Sequence, residues 1–388
     1  MSGAQAVAAQ FQELYGAAPE GVWAAPGRVN LIGEYTDFNE GLVMPLALPH
    51  TAVAAVSRRA DGVLRVHSAD TRGGVMRLGT DELVPLSDTG WAAYPAGVVW
   101  ALREAGHAVG GADIHLTSTV PTGAGLSSSA ALEVVTALAL NDLYELGLSA
   151  PELAVLAQRA ENDFVGVPCG VMDQMSSACC TEGHALYLDT RDLSQRQVPF
   201  DLAAVGLQLL VVDTRVKHKL GDGAYAERRA WCETGARALG ARTLREVEYA
   251  HLPAALERLA GEDENVRRCV RHVVSDNHRV ERTIALLDAG DVRAAGPILT
   301  EGHTSLRDDL RVSCAELDLV VSSSVAAGAL GARMTGGGFG GSAIVLLESR
   351  DDSRATVTKA VLESFAAAGF TAPRIFPAVP SRGAHRVG

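Results

Sequence analysis

The sequence predicts a mixed α and β fold, α+β in class, built as two domains. Three observations predict it. The chain has 388 residues, more than a single hydrophobic core usually organises. Short stretches of strand character are interleaved with segments of helical period. Hydrophobic residues make up 47% of the chain, enough apolar material for a sizeable buried core.

Ala4 to Tyr15 reads as a short amphipathic helix. Between residues 21 and 57, apolar stretches alternate with turn residues, giving strands at 22–24, 29–32, 42–48 and 51–56, with a further strand at 64–67. Residues 94–104 are helical in period, and 112–118 alternate like a strand leading into a serine-rich loop. The run 132–146 is helical, as is 151–164, where Pro151 suits a first turn that needs no N–H. An apolar strand over 206–214 ends in Asp213. Helices follow at 226–239, 265–289, 292–307 and 315–327, then a strand at 343–347 and a last helix at 353–368. The polar stretch from Thr190 to Pro199 places a boundary there, giving domains 1–195 and 196–388. There is no fixed-period repeat and no low-complexity tract.

Composition excludes several functions. A formal net charge of −12 argues against nucleic acid or an anionic membrane as the main partner. No apolar run approaches the ~18 residues of a membrane span, and residues 1–20 lack the layout of a signal peptide. The six cysteines, at 169, 179, 180, 232, 269 and 314, form no C-x-x-C pair. They read as reduced thiols of a cytoplasmic protein.

Four segments carry chemistry. In Pro121-Thr-Gly-Ala-Gly-Leu-Ser-Ser-Ser-Ala-Ala131, a flexible turn delivers three hydroxyls onto a helix N-terminus, where the serines, with Glu133, can cap the first turn. Free N–H groups and the helix dipole there suit an anion, above all a phosphate. The common nucleotide loop needs a lysine after its glycines, and the chain has only Lys217, Lys219 and Lys359. A polyphosphate would thus be held by amides, hydroxyls, arginine and a divalent metal. Taken alone, the segment is equally a Ser-capped helix after a glycine turn.

Pro26 to Asn39 gathers Arg28, Asn30, Glu34, Asp37 and Asn39: acceptors for the hydroxyls of a polyol, with a permanent charge for an anion. A solvated loop between strands would look the same. Glu161 to Gln174 places Asp173 in an apolar stretch beyond a bend at Pro168 and Gly170, as a core ion-pair partner, a base or a metal ligand. Glu161 adds hard oxygen of the kind Mg²⁺ takes. In Met334-Thr-Gly-Gly-Gly-Phe-Gly-Gly-Ser342 the glycines formally match a dinucleotide fingerprint, but a helical segment precedes them and a strand follows. That order argues against a nicotinamide fold and leaves a loop that approaches a phosphate or sugar, or a tight turn. His67, His115 and the arginines of 267–271 and 279–282 read as structural or solvated residues.

Together and in this order, the four segments resemble the galactokinases, within the superfamily of small-molecule kinases that includes homoserine, mevalonate and phosphomevalonate kinases. Gly27 to Asn39 is similar to the family's sugar signature, Pro121 to Ala131 to the ATP loop, Thr335 to Gly341 to the third motif and Cys169 to Gln174 to the base segment. The resemblance implies a two-domain kinase fold with its active site in the inter-domain cleft. It implies that Asp173 accepts the anomeric proton beside Arg28, and that Glu34, Tyr35, Thr36, Asp37, Gly170 and Tyr225 contact the sugar. It further implies that Gly123, Ala124, Gly125, Leu126, Ser127, Ser128, Ser129 and Ser68 contact ATP, with Mg²⁺ on Ser129 and Glu161. The expected partner is a small-molecule sugar, bound by a monomer. The family usually has His where Tyr35 stands and Tyr where Phe38 stands. The sugar thus remains open to a galactosamine derivative, a uronic acid or arabinose, and a catalytically silent sugar and ATP sensor is the reading from another class.

Overall fold

The computed structural model describes residues 3–87, 89–216 and 221–388. Helix α1 (Gly3–Tyr15) precedes strands β1 (Gly21–Asn30), β2 (Leu42–Val43), β3 (Pro45–Arg58), β4 (Val63–Ser68) and β5 (Met76–Gly79). Then come α2 (Ala93–Glu104), β6 (Ala112–Ser118), α3 (Ser128–Leu143), α4 (Ala150–Arg159), α5 (Met172–Cys179), β7 (His184–Asp189), β8 (Gln195–Pro199) and β9 (Leu207–Asp213). The remainder is mostly helical: α6 (Gly221–Leu239), α7 (Leu252–Arg258), α8 (Glu264–Asp288), α9 (Ala295–Ser305) and α10 (Ala315–Ala326). It closes with β10 (Gly331–Thr335), β11 (Ser342–Glu348), α11 (Asp351–Ala368), β12 (Arg374–Pro377) and β13 (His385–Arg386).

The strands form a six-stranded sheet in the order β13-β1-β3-β6-β4-β5, a four-stranded sheet β10-β11-β9-β12 and a three-stranded sheet β2-β7-β8. One apolar core lies between the first sheet and α2 to α5; a second joins β9 to β11 with α8, α10 and α11. The stretches expected as separate strands at 22–24 and 29–32 are one strand, whose pairing with β3 shifts register between Pro26 and Arg28. Pro26 has no N–H to give the ladder, so a break there follows. At the break the Arg28 amide instead donates to the Leu126 carbonyl at 3.1 Å, which ties the sheet to the serine loop.

Several local expectations need correction. Helix α3 begins at Ser128 rather than Leu132, so the serines form its first turn. The segment read as a helix over 151–164 ends regular α geometry at Arg159 and continues as a wider π turn, Ala160–Val165, that carries Glu161. Asp173 stands in the first turn of α5, an eight-residue helix too short to show a period. The glycine loop is preceded by β10, not directly by a helix. With Thr335 paired to Ser342 it is the tip of an antiparallel hairpin, and the dinucleotide order of strand then helix is still not met. Arg279 is no solvated residue: it is buried and paired with Asp276 (3.0 Å) and Glu301 (3.0 Å). His67 and His115 face each other across β4 and β6, Nδ1 to Nδ1 at 3.0 Å. All six cysteines are free, and no helix among the described residues is long and apolar enough to cross a membrane. Lys217 and Lys219 lie outside the described residues.

Candidate active site

The site is assembled around Arg28. Its side chain is buried and leaves β1 just after the register break. Its Nε and Nη2 donate to the two carboxylate oxygens of Asp173, each at 2.9 Å, while Nη1 donates to the Gly125 carbonyl at 2.8 Å. A planar guanidinium with fixed donors suits this double grip. A third donor, the Ser127 hydroxyl, reaches Asp173 Oδ2 at 2.5 Å. Ser127 is the residue before α3, in the left-handed region at φ 59, and its side chain makes no cap bond. Such a conformation in a non-glycine residue persists only where its surroundings over-determine it. The expected serine cap is therefore replaced by a contact to Asp173, and the first-turn N–H groups of α3 keep the unsatisfied character of a helix start.

Arg28, Glu34, Tyr35, Asp37, Glu161, Gly170, Asp173 and Tyr225 line one cavity of about 280 Å³, together with Val167, Pro168, Cys169, Met172, Gly336, Gly337 and Phe339. Glu34 is buried, its Oε2 accepting from Asn30 Nδ2 (2.8 Å) and Arg333 Nη2 (2.6 Å) and its Oε1 from the Gly336 amide (3.0 Å). Burial pushes its carboxyl up to about 7, with Arg333 the strongest influence in the other direction. Asp37 is raised to about 6 by burial and by the neighbouring Asp173, against the backbone amides of Phe38 and Met172. Both residues bring carboxyl oxygens to the cavity wall. Gly170 leaves room for the second of them: a Cβ there would stand 1.9 Å from Asp37 Oδ2.

Tyr35 contributes a ring rather than a hydroxyl. Its O–H donates to the Gly337 carbonyl at 2.6 Å, and its ring packs on Tyr225 with centroids 5.0 Å apart and Phe38 edge-on at 6.1 Å. The exchange of His for Tyr at this position thus makes an aromatic wall whose polar end is already engaged.

On the other side of Asp173, burial raises Glu161 to about 6, while the Ser129 hydroxyl lowers it. Its Oε2 accepts from Gln174 Nε2 at 2.6 Å, and the same amide donates to Glu133 Oε2 at 3.1 Å. Burial and the adjacent Glu161 hold the Glu133 carboxyl well above its ordinary value. Glu133 therefore serves this buried cluster and does not cap α3.

Not every expected residue joins the cavity. Thr36 is fully buried, the one proton of its hydroxyl shared between the Gly33 (2.9 Å) and Leu42 (2.7 Å) carbonyls. It shapes the signature loop and is absent from the cavity wall. Ser68, at the end of β4, accepts from the Asp70 amide at 3.2 Å and stands outside the cavity. Residues 123–129 form its border rather than its lining. The Ala124 carbonyl accepts from Ser342 at 2.8 Å, Gly125 and Leu126 hold Arg28, Ser127 touches Asp173 and Ser129 neighbours Glu161. Gly123 (φ 76) and Gly125 (φ 70) take the left-handed turns that bring this about. Sequence pattern does not mark Arg333, Gln174 or Phe339 individually as site residues. The one signal for Arg333 is a lone charge in a small-residue stretch just before the glycine loop.

Comparison with known proteins identifies the family and the fold. Three family models match: the galactokinase galactose-binding signature over residues 9–58, the GHMP kinases N terminal domain over 93–181 and the GHMP kinases C terminal over 283–366. The chain is 67% identical over 381 residues to a galactokinase of Streptomyces coelicolor, covering 98% of each. It is 43% identical to a galactokinase of Mycobacterium tuberculosis, over 91% of this chain and 95% of the relative. The crystal structure of Lactococcus lactis galactokinase complexed with galactose superposes with a TM-score of 0.94 at 30% identity, over 99% of both chains. Methanococcus jannaschii mevalonate kinase shares the fold, with a TM-score of 0.64 at 18% identity, over 93% of this chain and 98% of that one. The chain belongs to the galactokinase family of the GHMP kinases and is a sugar kinase with that superfamily's two-domain α+β fold.

Proposed function

We propose that the chain transfers the terminal phosphoryl group of ATP to the anomeric hydroxyl of D-galactose, giving galactose 1-phosphate and ADP, with Asp173 accepting the proton. The observation that carries this is the position of the Arg28–Asp173 pair. It stands between a cavity rich in hydroxyl acceptors and the turn that opens α3, touching both. Phosphoryl transfer needs alignment and charge neutralisation more than covalent help from the protein. The three donors on Asp173 fix its orientation, so the sugar oxygen it faces is aimed at the start of α3. Glu34 and Asp37 accept from sugar hydroxyls, while Tyr35 and Tyr225 present ring faces to the sugar. Residues 123–129 offer first-turn amides and hydroxyls to the phosphates, and Arg28 adds a permanent positive charge.

Mg²⁺ fits Ser129 and Glu161. Both offer hard oxygen, and Glu161 is almost wholly buried. Among the described residues no group of three or more His, Cys, Asp or Glu gathers to cage an ion, which suits a metal that keeps most of its shell for water and phosphate oxygens. Bound there, the ion supplies charge neutralisation to the transferring group. We also place the division of the chain at 1–195 and 196–388. The family matches on either side support two halves; the cut itself falls within β8, and β13 returns to pair with β1 of the first sheet. A cytoplasmic location is supported by the six free cysteines.

A coupled ADP-release assay over galactose, galactosamine, galacturonic acid and arabinose tests the assignment. Turnover is expected to be greatest with galactose, to vanish in excess EDTA and to return with added Mg²⁺. Absence of galactose turnover beside clear turnover of another sugar overturns the substrate; undiminished turnover in EDTA overturns the metal.

A further inference from the structure

Arg333 is wholly buried on β10, about 300 residues along the chain from the signature loop, and is absent from the cavity wall. Its Nη2 sits 2.6 Å from Glu34 Oε2. The remaining nitrogens reach main-chain oxygens, Nε the Met334 carbonyl at 3.2 Å and Nη1 the Leu31 carbonyl at 3.5 Å. Two further links run between the same pieces of chain. The Gly336 amide donates to Glu34 Oε1, and the Thr335 hydroxyl accepts from the Asn30 amide (2.8 Å) and donates to the Asn30 carbonyl (3.1 Å). The β10–β11 hairpin is thus locked to the sugar signature at one acidic side chain.

We propose that Arg333 is a positioning residue for the sugar: it holds the Glu34 carboxylate ionised and aimed into the cavity, and so sets sugar affinity without touching sugar. This rests on the reading of Glu34 as a sugar contact. An isolated buried carboxylate gains a proton rather than remain charged, and a protonated one offers a different pattern of donors and acceptors. The charged groups facing Glu34 are few. Arg333 and, more weakly, Arg28 favour its ionised form, whereas Asp276 on α8 opposes it. Asp276 is itself held by Arg279 at 3.0 Å and stands 3.9 Å from Arg333. His272 meets only the main-chain oxygen of Glu34, at 3.0 Å. Among the described residues Arg333 is therefore the one cation in direct contact with the carboxylate.

A double-mutant cycle between Arg333→Met and Glu34→Gln, read as steady-state KM for galactose and for ATP, tests this. Arg333→Met is expected to raise the galactose KM roughly 10- to 100-fold, the range for loss of a charged hydrogen-bond partner, with ATP KM and kcat at saturating sugar within a few-fold of the parent. In the Glu34→Gln background the same change is expected to add little, because its target is gone. The pH profile gives an independent reading. With Glu34 raised to about 7, the parent's galactose KM should climb as pH falls through that value. In Arg333→Met the climb should begin at higher pH, and in Arg333→Lys, which keeps a charge, close to the parent. An undiminished penalty in the Glu34→Gln background, or equal damage to both KM values, overturns the proposal. If Arg333→Met does not fold, Arg333→Gln, which also removes the charge, is read in the same cycle with the same criteria. A parent-like galactose KM in Glu34→Gln alone would instead overturn the role of Glu34, so the two failures are distinct.

Discussion

Asp173→Asn is expected to lower the rate of phosphoryl transfer by roughly 10²- to 10⁴-fold, the usual worth of a positioned general base, while galactose and ATP still bind. The substitution keeps the shape of the side chain and removes its ability to take a proton. Arg28 retains its bond to the Gly125 carbonyl and Ser127 its place before α3, so the border between cavity and phosphate loop survives. Rapid-quench single turnovers report transfer and calorimetry reports binding. Transfer within a few-fold of the parent would contradict the assignment of Asp173; loss of galactose binding together with transfer would make it a contact rather than a base.

Gly170→Ala is expected to cost roughly 100-fold in kcat/KM for galactose, as displacements of about 1 Å in reacting geometry do, with little change in KM for ATP. The reason is steric and local. The added carbon would lie 1.9 Å from Oδ2 and 2.1 Å from Cγ of Asp37, so one of the two must move. Asp37 is not free to swing, because its Oδ1 accepts from the Phe38 amide at 3.0 Å and its carboxylate is packed inside the cavity wall. Either its carboxylate leaves the sugar's hydroxyls or the loop holding Gly170 is pushed from the cavity. Initial-rate kinetics with each substrate varied in turn report the effect. Unchanged galactose kinetics would mean that Asp37 is not held where the sugar needs it.

Much of this site was legible in the linear sequence because its chemistry is concentrated in short runs. Arg28 with Glu34 and Asp37, the glycines and serines of 123–129, and Asp173 beyond the bend at Gly170 stand out as candidates, and their resemblance to the galactokinase motifs implies their roles. What the sequence hides is which atom each side chain spends on what. Thr36 belongs to the signature, yet both hydroxyl contacts serve the turn that holds it. Ser127 reads as a helix cap and instead adopts a left-handed backbone that points it at Asp173. Tyr35 reads as a sugar donor, and its hydroxyl is taken by Gly337. These outcomes depend on backbone angles and neighbours distant along the chain, which local pattern does not encode. The Arg333–Glu34 pair is the extreme case, since nothing in either segment announces the other. The same holds for the fold: a long helix such as α8 carries a clear period, whereas β3, which runs through the stretches read as two strands at 42–48 and 51–56, the eight residues of α5, and the short strands β7 and β10 are fixed mainly by the sheet or core they join.

A crystal structure with galactose and a non-hydrolysable ATP analogue bound together would settle the arrangement on which all of this depends. The expected result has the anomeric oxygen within about 3 Å of an Asp173 carboxylate oxygen, with the terminal phosphate over the first turn of α3 beside Arg28 and in line with that oxygen. A sugar bound with its anomeric carbon turned away from Asp173, or a terminal phosphate lodged away from residues 123–129, would contradict it.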